Sequence, residues 1–303
     1  MRKAFALALT LWIVAIMSLV TALYLNYGKI TVQKTKLLNK KLDAIFKVES
    51  TVELLKFYGV TGEFLSNTIK NKILQRNFPS FPNQIFTDGR ETKWNKQIIK
   101  IQDISGLIGT ADMDALVNYI ISNVNISKDK SVIIKESMLD WLDSNEITNL
   151  NGAEAPFYSH KGLGYTPRNE NYIASLDEIF LLKGLVGVKI NRKKLKSKLI
   201  LSSFVLRNIL TMDINVLSAL YHFSKIEQEQ LIKAKKESNK TFVRLFYELR
   251  PKELNSELTG LSSSRIMKVL VSFKDKEIYE EVSFIISFRQ NEFTISEIIE
   301  YNN

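Results

Sequence analysis

The densest group of polar residues in the sequence lies near the middle of the chain. It begins with Asp140, Asp143 and Asn145 and continues after a short gap with Glu154. Asp140 and Asp143 stand three residues apart, so on a helix their carboxylates face the same way. Such hard oxygen donors on a loop suit Ca²⁺, which takes about six to eight oxygen ligands in loose geometry. The pattern is no EF-hand, because Ile147 occupies a ligand position and the turn glycine is missing.

Three interpretations of this polar group remain open from the spacing alone. The oxygens of Asp140, Asp143, Asn145 and Glu154 could form a calcium site. The same residues could instead cap a helix and line a solvated loop. In the third interpretation, Asp140 and Asp143 are the acid and base of a glycosidase-like site.

The sequence holds few other residues that support catalysis. Cysteine is absent, and His160 and His222 are the only histidines. Transition-metal sites therefore lack their preferred soft ligands, and thiolate chemistry is excluded. No G-x-S-x-G, P-loop or G-x-G-x-x-G motif is present. We therefore predict that the protein is not an enzyme and takes no cofactor apart from calcium.

The first element of the chain is an apolar segment at the amino terminus. Residues 5–25 carry no charge and follow Arg2 and Lys3 closely. A helix of this length spans about 30 Å and satisfies its own backbone hydrogen bonds, so it is predicted to cross a membrane once. A cleaved secretory signal, an ordinary anchor and a type IV prepilin leader all remain open. The helical period of later apolar residues predicts that the helix continues over 26–60.

The net charge of +10 raises the question of nucleic acid as a partner. A basic run contains Lys193, Lys194 and Lys196, and Gly184 and Gly187 before it resemble a helix-hairpin-helix turn that binds phosphates. A solvated helix face and a helix C-cap are the simpler interpretations. The five lysines at positions 29, 34, 36, 40 and 41 favour a cytoplasmic location for the chain after the anchor, which conflicts with a periplasmic body.

The rest of the chain predicts an α+β domain that is interrupted by helices. Helices are expected over 62–74, 113–124, 133–142 and 176–185, the last with Ser175 as N-cap and ending at Gly184. Strands are expected over 84–87, 98–103, 265–273, 277–288 and 292–299, with a hairpin turn at Asp88-Gly89. The predicted divisions are a first part of the α+β domain at 61–110, an inserted helical domain at 111–260 and carboxy-terminal antiparallel strands at 261–303.

Several short motifs, in this order, resemble one family, the type II secretion minor pseudopilin of the K type (general secretion pathway protein K). The most specific is the pairing of a D-W-x-D motif with a following G-A-E. The matching stretches are Lys3-Ala4-Phe5-Ala6-Leu7, Ile101-Gln102-Asp103-Ile104-Ser105-Gly106, Asp140-Trp141-Leu142-Asp143, Gly152-Ala153-Glu154 with Tyr158, and Arg168-Asn169-Glu170-Asn171 with Ser175-Leu176-Asp177-Glu178-Ile179. The resemblance covers nearly the whole chain.

The resemblance implies a type IV pilin-like fold with an inserted helical domain. It implies that residues 1–4 are a leader cut between Ala4 and Phe5 by a prepilin peptidase. Leu9 then stands where most pilins carry a Glu, an absence that the family associates with the filament tip. The family also implies calcium at Asp140 and its neighbours, an inner-membrane location with a periplasmic body, and I-type and J-type minor pseudopilins and other inner-membrane secretion components as partners. Nucleic acid is not expected as a partner, and a membrane-anchored DNA-uptake protein is the alternative.

Overall fold

The structure is a computed structural model that describes residues 2–124, 126–127, 129–201, 206–288 and 294–302. Its α-helices are α1 (Arg2–Thr61), α2 (Lys72–Asn77), α3 (Met113–Val124), α4 (Asp129–Leu142), α5 (Ala155–His160), α6 (Arg192–Lys196), α7 (Ile214–Tyr221), α8 (Lys225–Glu237) and α9 (Asn239–Leu249). Its strands are β1 (Glu63–Phe64), β2 (Thr68–Lys70), β3 (Gln84–Phe86), β4 (Asp88–Trp94), β5 (Gln97–Asp103), β6 (Ile108–Gly109), β7 (Leu199–Ile200), β8 (Arg207–Asn208), β9 (Thr259–Gly260), β10 (Ile266–Lys274), β11 (Tyr279–Ser287) and β12 (Thr294–Asn302). The fold class is α+β, as predicted.

Helix α1 is one continuous helix of 60 residues with two different surroundings. The segment from Leu9 onward contains a stretch of mean hydropathy 1.9 that is long and apolar enough to cross a membrane, and none of it is buried against the rest of the chain. Further along, Ala44, Val48, Leu55 and Tyr58 are buried. The predicted continuation of the helix is therefore confirmed, and only its last turns pack against the body.

The main sheet has the strand order β12-β11-β10-β5-β4, and every neighbouring pair is antiparallel. Helix α1 lies against β10 and β11, and its buried residues join apolar side chains of the sheet such as Val269 and Phe284 in one core. Between β5 and β10 the chain forms α3–α9, which enclose a second core around Leu116, Met138 and Phe242. The carboxy-terminal strands form the predicted hairpins. The predicted start of the last strand at residues 292–293 lies outside the described residues.

The last residues of β5 connect the sheet to the helical part. The Asp103 side chain is fully buried and accepts hydrogen bonds from Ser105, Ser263 and Ser264. Ser105 lies in the 3₁₀ turn after β5, whereas Ser263 and Ser264 belong to the segment that returns to β10. Gln102 Nε2 donates to the Thr211 carbonyl at 3.0 Å. These bonds fix both ends of the inserted segment to the sheet.

The prediction of a helix over 62–74 is wrong. That segment contains β1, β2 and the beginning of the short α2. Asn71 explains the change, because its Nδ2 donates to the Tyr58 carbonyl at 3.0 Å while its Oδ1 accepts from Leu74 N at 2.8 Å. One side chain therefore binds a carbonyl near the end of α1 and caps α2, a contact that periodicity does not reveal.

The hairpin predicted at Asp88-Gly89 is also wrong. The turn between β4 and β5 is Asn95-Lys96, whose φ angles of 45° and 63° suit a two-residue hairpin loop. Gly89, with φ of 79°, lies inside β4 next to an irregularity in the register, where an added Cβ would stand 2.7 Å from Gln102 Oε1. The glycine therefore marks a bulge in the strand.

The helix predicted over 176–185 forms only a 3₁₀ turn, Glu178–Leu181. The Glu178 carboxylate accepts from Ser175 N, and Ser175 Oγ accepts from Asp177 N, so these side chains stabilise a tight turn instead of a regular helix. Gly184 does not have the positive φ of a C-cap; an added Cβ there would stand 2.5 Å from Ile134 Cγ1. Close packing on α4 explains this glycine.

Candidate metal centre

The candidate site forms where α4 ends. Asp140 lies in the last turn of that helix and is fully buried. Its carboxylate accepts from Asn149 N at 3.2 Å and also from the Asn149 side-chain amide. The intervening chain, residues 143–151, therefore folds back over Asp140 as a loop.

Gly152 lets this loop approach the carboxylate closely. A Cβ at that position would stand 1.9 Å from Asp140 Oδ2, so no other residue fits without displacing this carboxylate. Two further bonds secure the returning chain: Lys183 Nζ donates to the Gly152 carbonyl at 2.7 Å, and Asn151 N donates to Glu136 Oε2. The loop is thereby attached to α4 and to the segment after the 3₁₀ turn.

Glu154 completes the acidic group from the residue that precedes α5. Its side chain is 2% exposed, and neither carboxylate oxygen has a hydrogen-bond partner among the described residues. Carboxylate oxygens of Asp140, Asp143 and Glu154 all lie within 4.8 Å of one another. Burial, followed by the negative charges of Asp140, Asp143 and Glu146, raises the pKa of Glu154 to about 7. In the part of the chain that the structure describes, no lysine or arginine forms an ion pair with these three carboxylates.

The donor set fits a hard divalent cation. Three carboxylates at this separation match the oxygen ligands of Ca²⁺, whereas Zn²⁺ and copper favour nitrogen and sulfur. A buried carboxylate without a partner is costly unless it is protonated or meets a cation. Asp140, Asp143 and Glu154 are therefore the residues that could hold the ion.

The surroundings hold the site in shape. Trp141 stacks edge-on against Tyr158 with ring centroids 5.5 Å apart, and its indole nitrogen donates to Glu178. Arg168 binds the same carboxylate through Nε at 2.9 Å and Nη2 at 2.7 Å. The D-W-x-D motif and the G-A-E-x-x-x-Y stretch thus meet in space, because Trp141 of the first packs against Tyr158 of the second.

The structure brings together three of the four residues predicted as calcium ligands. Asn145 is exposed, and its Oδ1 accepts from Ile147 N at 2.7 Å, so that oxygen is engaged within the loop. The sequence places Asn169 in one of the matching stretches but predicts no role for it at the site. Its Oδ1 is buried without a hydrogen-bond partner among the described residues, and its backbone nitrogen donates to the Trp141 carbonyl. Its φ of 57° is one that asparagine tolerates, but the sequence carries no signal for the contact.

The other two interpretations of the polar group receive less support. Asp140 has no exposed surface, so it does not face a sugar as the carboxylates of a glycosidase must. Capping contacts do occur, since Asp143 Oδ1 accepts from Asn145 N at 3.2 Å. They leave Glu154 unexplained, because its oxygens take no part in them.

The basic run does not form a phosphate-binding hairpin. Lys193 lies 3.7 Å from Glu281 and Lys196 lies 3.0 Å from Asp177, so both side chains face carboxylates of this chain. Gly187 has a φ of 75°, and Gly184 packs on α4. This arrangement gives no support to the DNA-binding alternative.

The residues predicted to act in processing lie at the start of the chain. Ala4 and Phe5 belong to the first turns of α1, and Leu9 is 52% exposed on the same helix. Met1, the first residue of the predicted leader, lies outside the described residues. The position of Leu9 is compatible with packing against lipid or another helix.

The fold is similar to that of a protein of known structure. The chain is similar to a chain of the crystal structure of the GspK-GspI-GspJ complex from the enterotoxigenic Escherichia coli type 2 secretion system, with a TM-score of 0.58 and 15% identity. The match covers 89% of this chain and 99% of the other. No family model and no curated protein matches the sequence. The chain therefore has the pilin-like α+β fold of that complex, in agreement with the fold implied by its sequence motifs.

Proposed function

We propose that this chain is a K-type minor pseudopilin, a non-enzymatic assembly subunit at the tip of a type II secretion pseudopilus. The observation that carries the proposal is the fold match over 89% of the chain. It is joined by an exposed apolar helix at the amino terminus. The body lies in the periplasm, and the chain helps to initiate the filament that exports folded proteins across the outer membrane.

In this proposal the apolar anchor helix brings the subunit into the filament. In the bilayer it satisfies its own backbone hydrogen bonds, and on extraction its exposed apolar face packs among partner helices. A charge inside lipid is costly unless it is paired, so Leu9 suits a subunit with no neighbour above it. The partners are I-type and J-type minor pseudopilins, as the assembly of the similar structure with GspI and GspJ suggests, together with other inner-membrane secretion components.

The amino-terminal sequence of the mature protein from bacterial membranes tests this role. We expect a start at Phe5, because a prepilin peptidase would remove residues 1–4 on the cytoplasmic side. A strain without the peptidase is the control and should yield the uncut chain. An intact Met1 in the wild-type strain would contradict the proposal. Protease protection of the body in spheroplasts would contradict the periplasmic location, which the lysines after the anchor oppose.

We further propose that Asp140, Asp143 and Glu154 hold Ca²⁺ and that the ion stabilises the loop 143–151. Calcium would offset two of the three negative charges that face one another, and it would fix the end of α4 to the start of α5. Asn145 is the fourth ligand expected from the sequence and would have to release Ile147 N to take part.

Thermal unfolding with and without Ca²⁺ tests the site. A ligand at about 100 times its Kd stabilises the folded state by about 2.7 kcal/mol, so the midpoint should rise by several degrees and fall again with a chelator. Asp143→Ala should abolish the response, whereas Asp129→Ala, at the other end of α4, should retain it. If Ca²⁺ leaves the midpoint of the intact protein unchanged, this assignment is wrong.

A further inference from the structure

An open cleft of about 610 Å³ lies where the helical part meets the segment after α1. Ser66, from the turn between β1 and β2, forms one side, and α9 forms the other. Behind the cleft the side-chain amides of Asn67 and Asn239 exchange hydrogen bonds at 3.1 and 3.4 Å. Clefts between packed units are common binding sites, and the lining of this one includes none of the three carboxylates of the metal centre.

The floor of the cleft is aliphatic. Leu210 is 3% exposed, and beside it Val243 and Leu261 are half-buried. Ser66 and Thr241 add hydroxyl groups along the rim. The surface therefore suits an occupant with small aliphatic side chains and a backbone that forms hydrogen bonds with the rim.

Two cations border this floor. Lys240 and Arg244 stand four residues apart on α9 and line the cleft from the same side. The Lys240 side chain, on α9, makes no hydrogen bond or ion pair with another residue that the structure describes. Arg244 lies 3.5 Å from Glu248, but both side chains are mostly exposed at 74% and 60%, so that pair is weak. Both positive charges remain accessible to a partner.

We propose that this cleft binds an acidic peptide segment of another protein, with aliphatic side chains on the floor and carboxylates beside Lys240 and Arg244. A peptide fits better than nucleic acid, because the described residues that line the cleft include no aromatic ring on which bases could stack. Its two cations also suit a short acidic motif better than a run of phosphates. The segment would contact the helical part and the sheet-bearing part at once.

Fluorescence anisotropy on the full chain in detergent micelles tests the proposal with a labelled peptide, Asp-Leu-Glu-Leu-Asp. We expect saturable binding that weakens as salt rises, because the charged contacts lie near the surface. The double variant K240E/R244E should weaken binding by about tenfold or more. Val243→Trp should abolish binding without changing the charge, because the indole occupies the floor.

Three controls separate this site from general attraction to a basic protein. K225E/K252E makes the same change in net charge at the opposite end of the α8–α9 hairpin and should bind as wild type does. The peptides Asp-Ser-Glu-Ser-Asp and Lys-Leu-Lys-Leu-Lys should bind weakly or not at all. Thermal midpoints show that each variant is folded. Absence of binding at low salt, equal binding by all variants, or displacement of the peptide by a single-stranded oligonucleotide would each overturn the proposal.

Discussion

Asp103 and Glu154 are both carboxylates removed from water, yet their surroundings differ completely. Asp103 has no exposed surface and accepts five hydrogen bonds, from the hydroxyls of Ser105, Ser263 and Ser264 and from two backbone nitrogens. Glu154 is 2% exposed and accepts none from the described residues. Burial therefore has different consequences for the two acids. Hydrogen bonds satisfy the Asp103 carboxylate, whereas the Glu154 carboxylate has no hydrogen-bond partner among the described residues.

The two positions also differ in the charges nearby. The donors to Asp103 are neutral groups that stabilise its negative charge in place of water. Glu154 instead faces Asp140 and Asp143 within 4.8 Å, so its charge is both desolvated and repelled. We infer that the Asp103 region is stable without any ligand, whereas the region around Glu154 depends on a proton or a cation. Variants at the two positions should therefore respond differently to Ca²⁺.

The largest effect is expected from Asp103→Asn. An amide in this place cannot accept all five bonds, and it turns a donor towards groups that are themselves donors. Loss of a buried, hydrogen-bonded charge costs about 3–5 kcal/mol, which should appear as a lower midpoint in urea with or without Ca²⁺. Asp275→Asn, at an exposed ion pair with Lys96, should change stability by less than about 0.5 kcal/mol. If both variants unfold at the wild-type midpoint, Asp103 does not hold the inserted segment.

Glu154→Gln, unlike Asp103→Asn, should lower the stability only when Ca²⁺ is present. In the presence of a chelator, the variant should be as stable as the wild type or more so, because a neutral amide removes repulsion at Asp140 and Asp143. In saturating Ca²⁺ it should lack the stabilisation of about 2.7 kcal/mol expected at 100 times the Kd. Glu146→Gln removes a nearby charge from an exposed residue and should keep the calcium response. Full stabilisation of Glu154→Gln by Ca²⁺ would show that Glu154 is not a ligand.

Gly152→Ala should cause a smaller loss that depends on the same carboxylates. Its methyl group would meet Asp140 Oδ2 at 1.9 Å, and overpacking of this kind typically costs about 1–3 kcal/mol. Calorimetric titration should also show weaker calcium binding, because Asp140 must move. Gly260→Ala is the matched control, since an added Cβ there meets nothing within 4 Å. Equal calcium affinity in Gly152→Ala and wild type would show that the added methyl group does not disturb the metal centre.

Patterns in the sequence predicted the parts of the fold that depend on periodicity. The long α1, the strands β5, β10 and β11, and helices α3 and α4 follow from regular apolar spacing. The failures at 62–74 and 176–185 have a common cause: Asn71 and Glu178 each turn a side chain towards the backbone and stabilise a short, irregular structure. Such contacts depend on single side chains, which averaged propensities do not resolve.

The candidate site was partly accessible from the sequence for a different reason. Asp140 and Asp143 are close in the chain, so helix geometry alone places their carboxylates together. The proximity of Glu154 depends on the fold of the loop, and the sequence pointed to it only through the G-A-E motif. The steric need for Gly152 and the buried amide of Asn169 required coordinates, because both arise from contacts between segments.

The smallest effect is expected from Asn145→Ala, which tests whether Asn145 is a calcium ligand. Sequence spacing assigns it as a ligand, whereas the structure engages its oxygen with Ile147 N at 2.7 Å in an exposed loop. Asn145→Ala should therefore cost less than about 0.5 kcal/mol in stability, as expected for an exposed position. Calorimetry should show calcium affinity within about threefold of the wild type, a difference of less than about 0.7 kcal/mol. A loss of calcium affinity as large as that of Asp143→Ala would mean that the loop rearranges around the ion and that Asn145 is a fourth ligand. Asn149→Ala provides the contrast, because it removes the side-chain hydrogen bond to Asp140 and leaves only the backbone donor; it should weaken binding even though Asn149 is not itself a ligand.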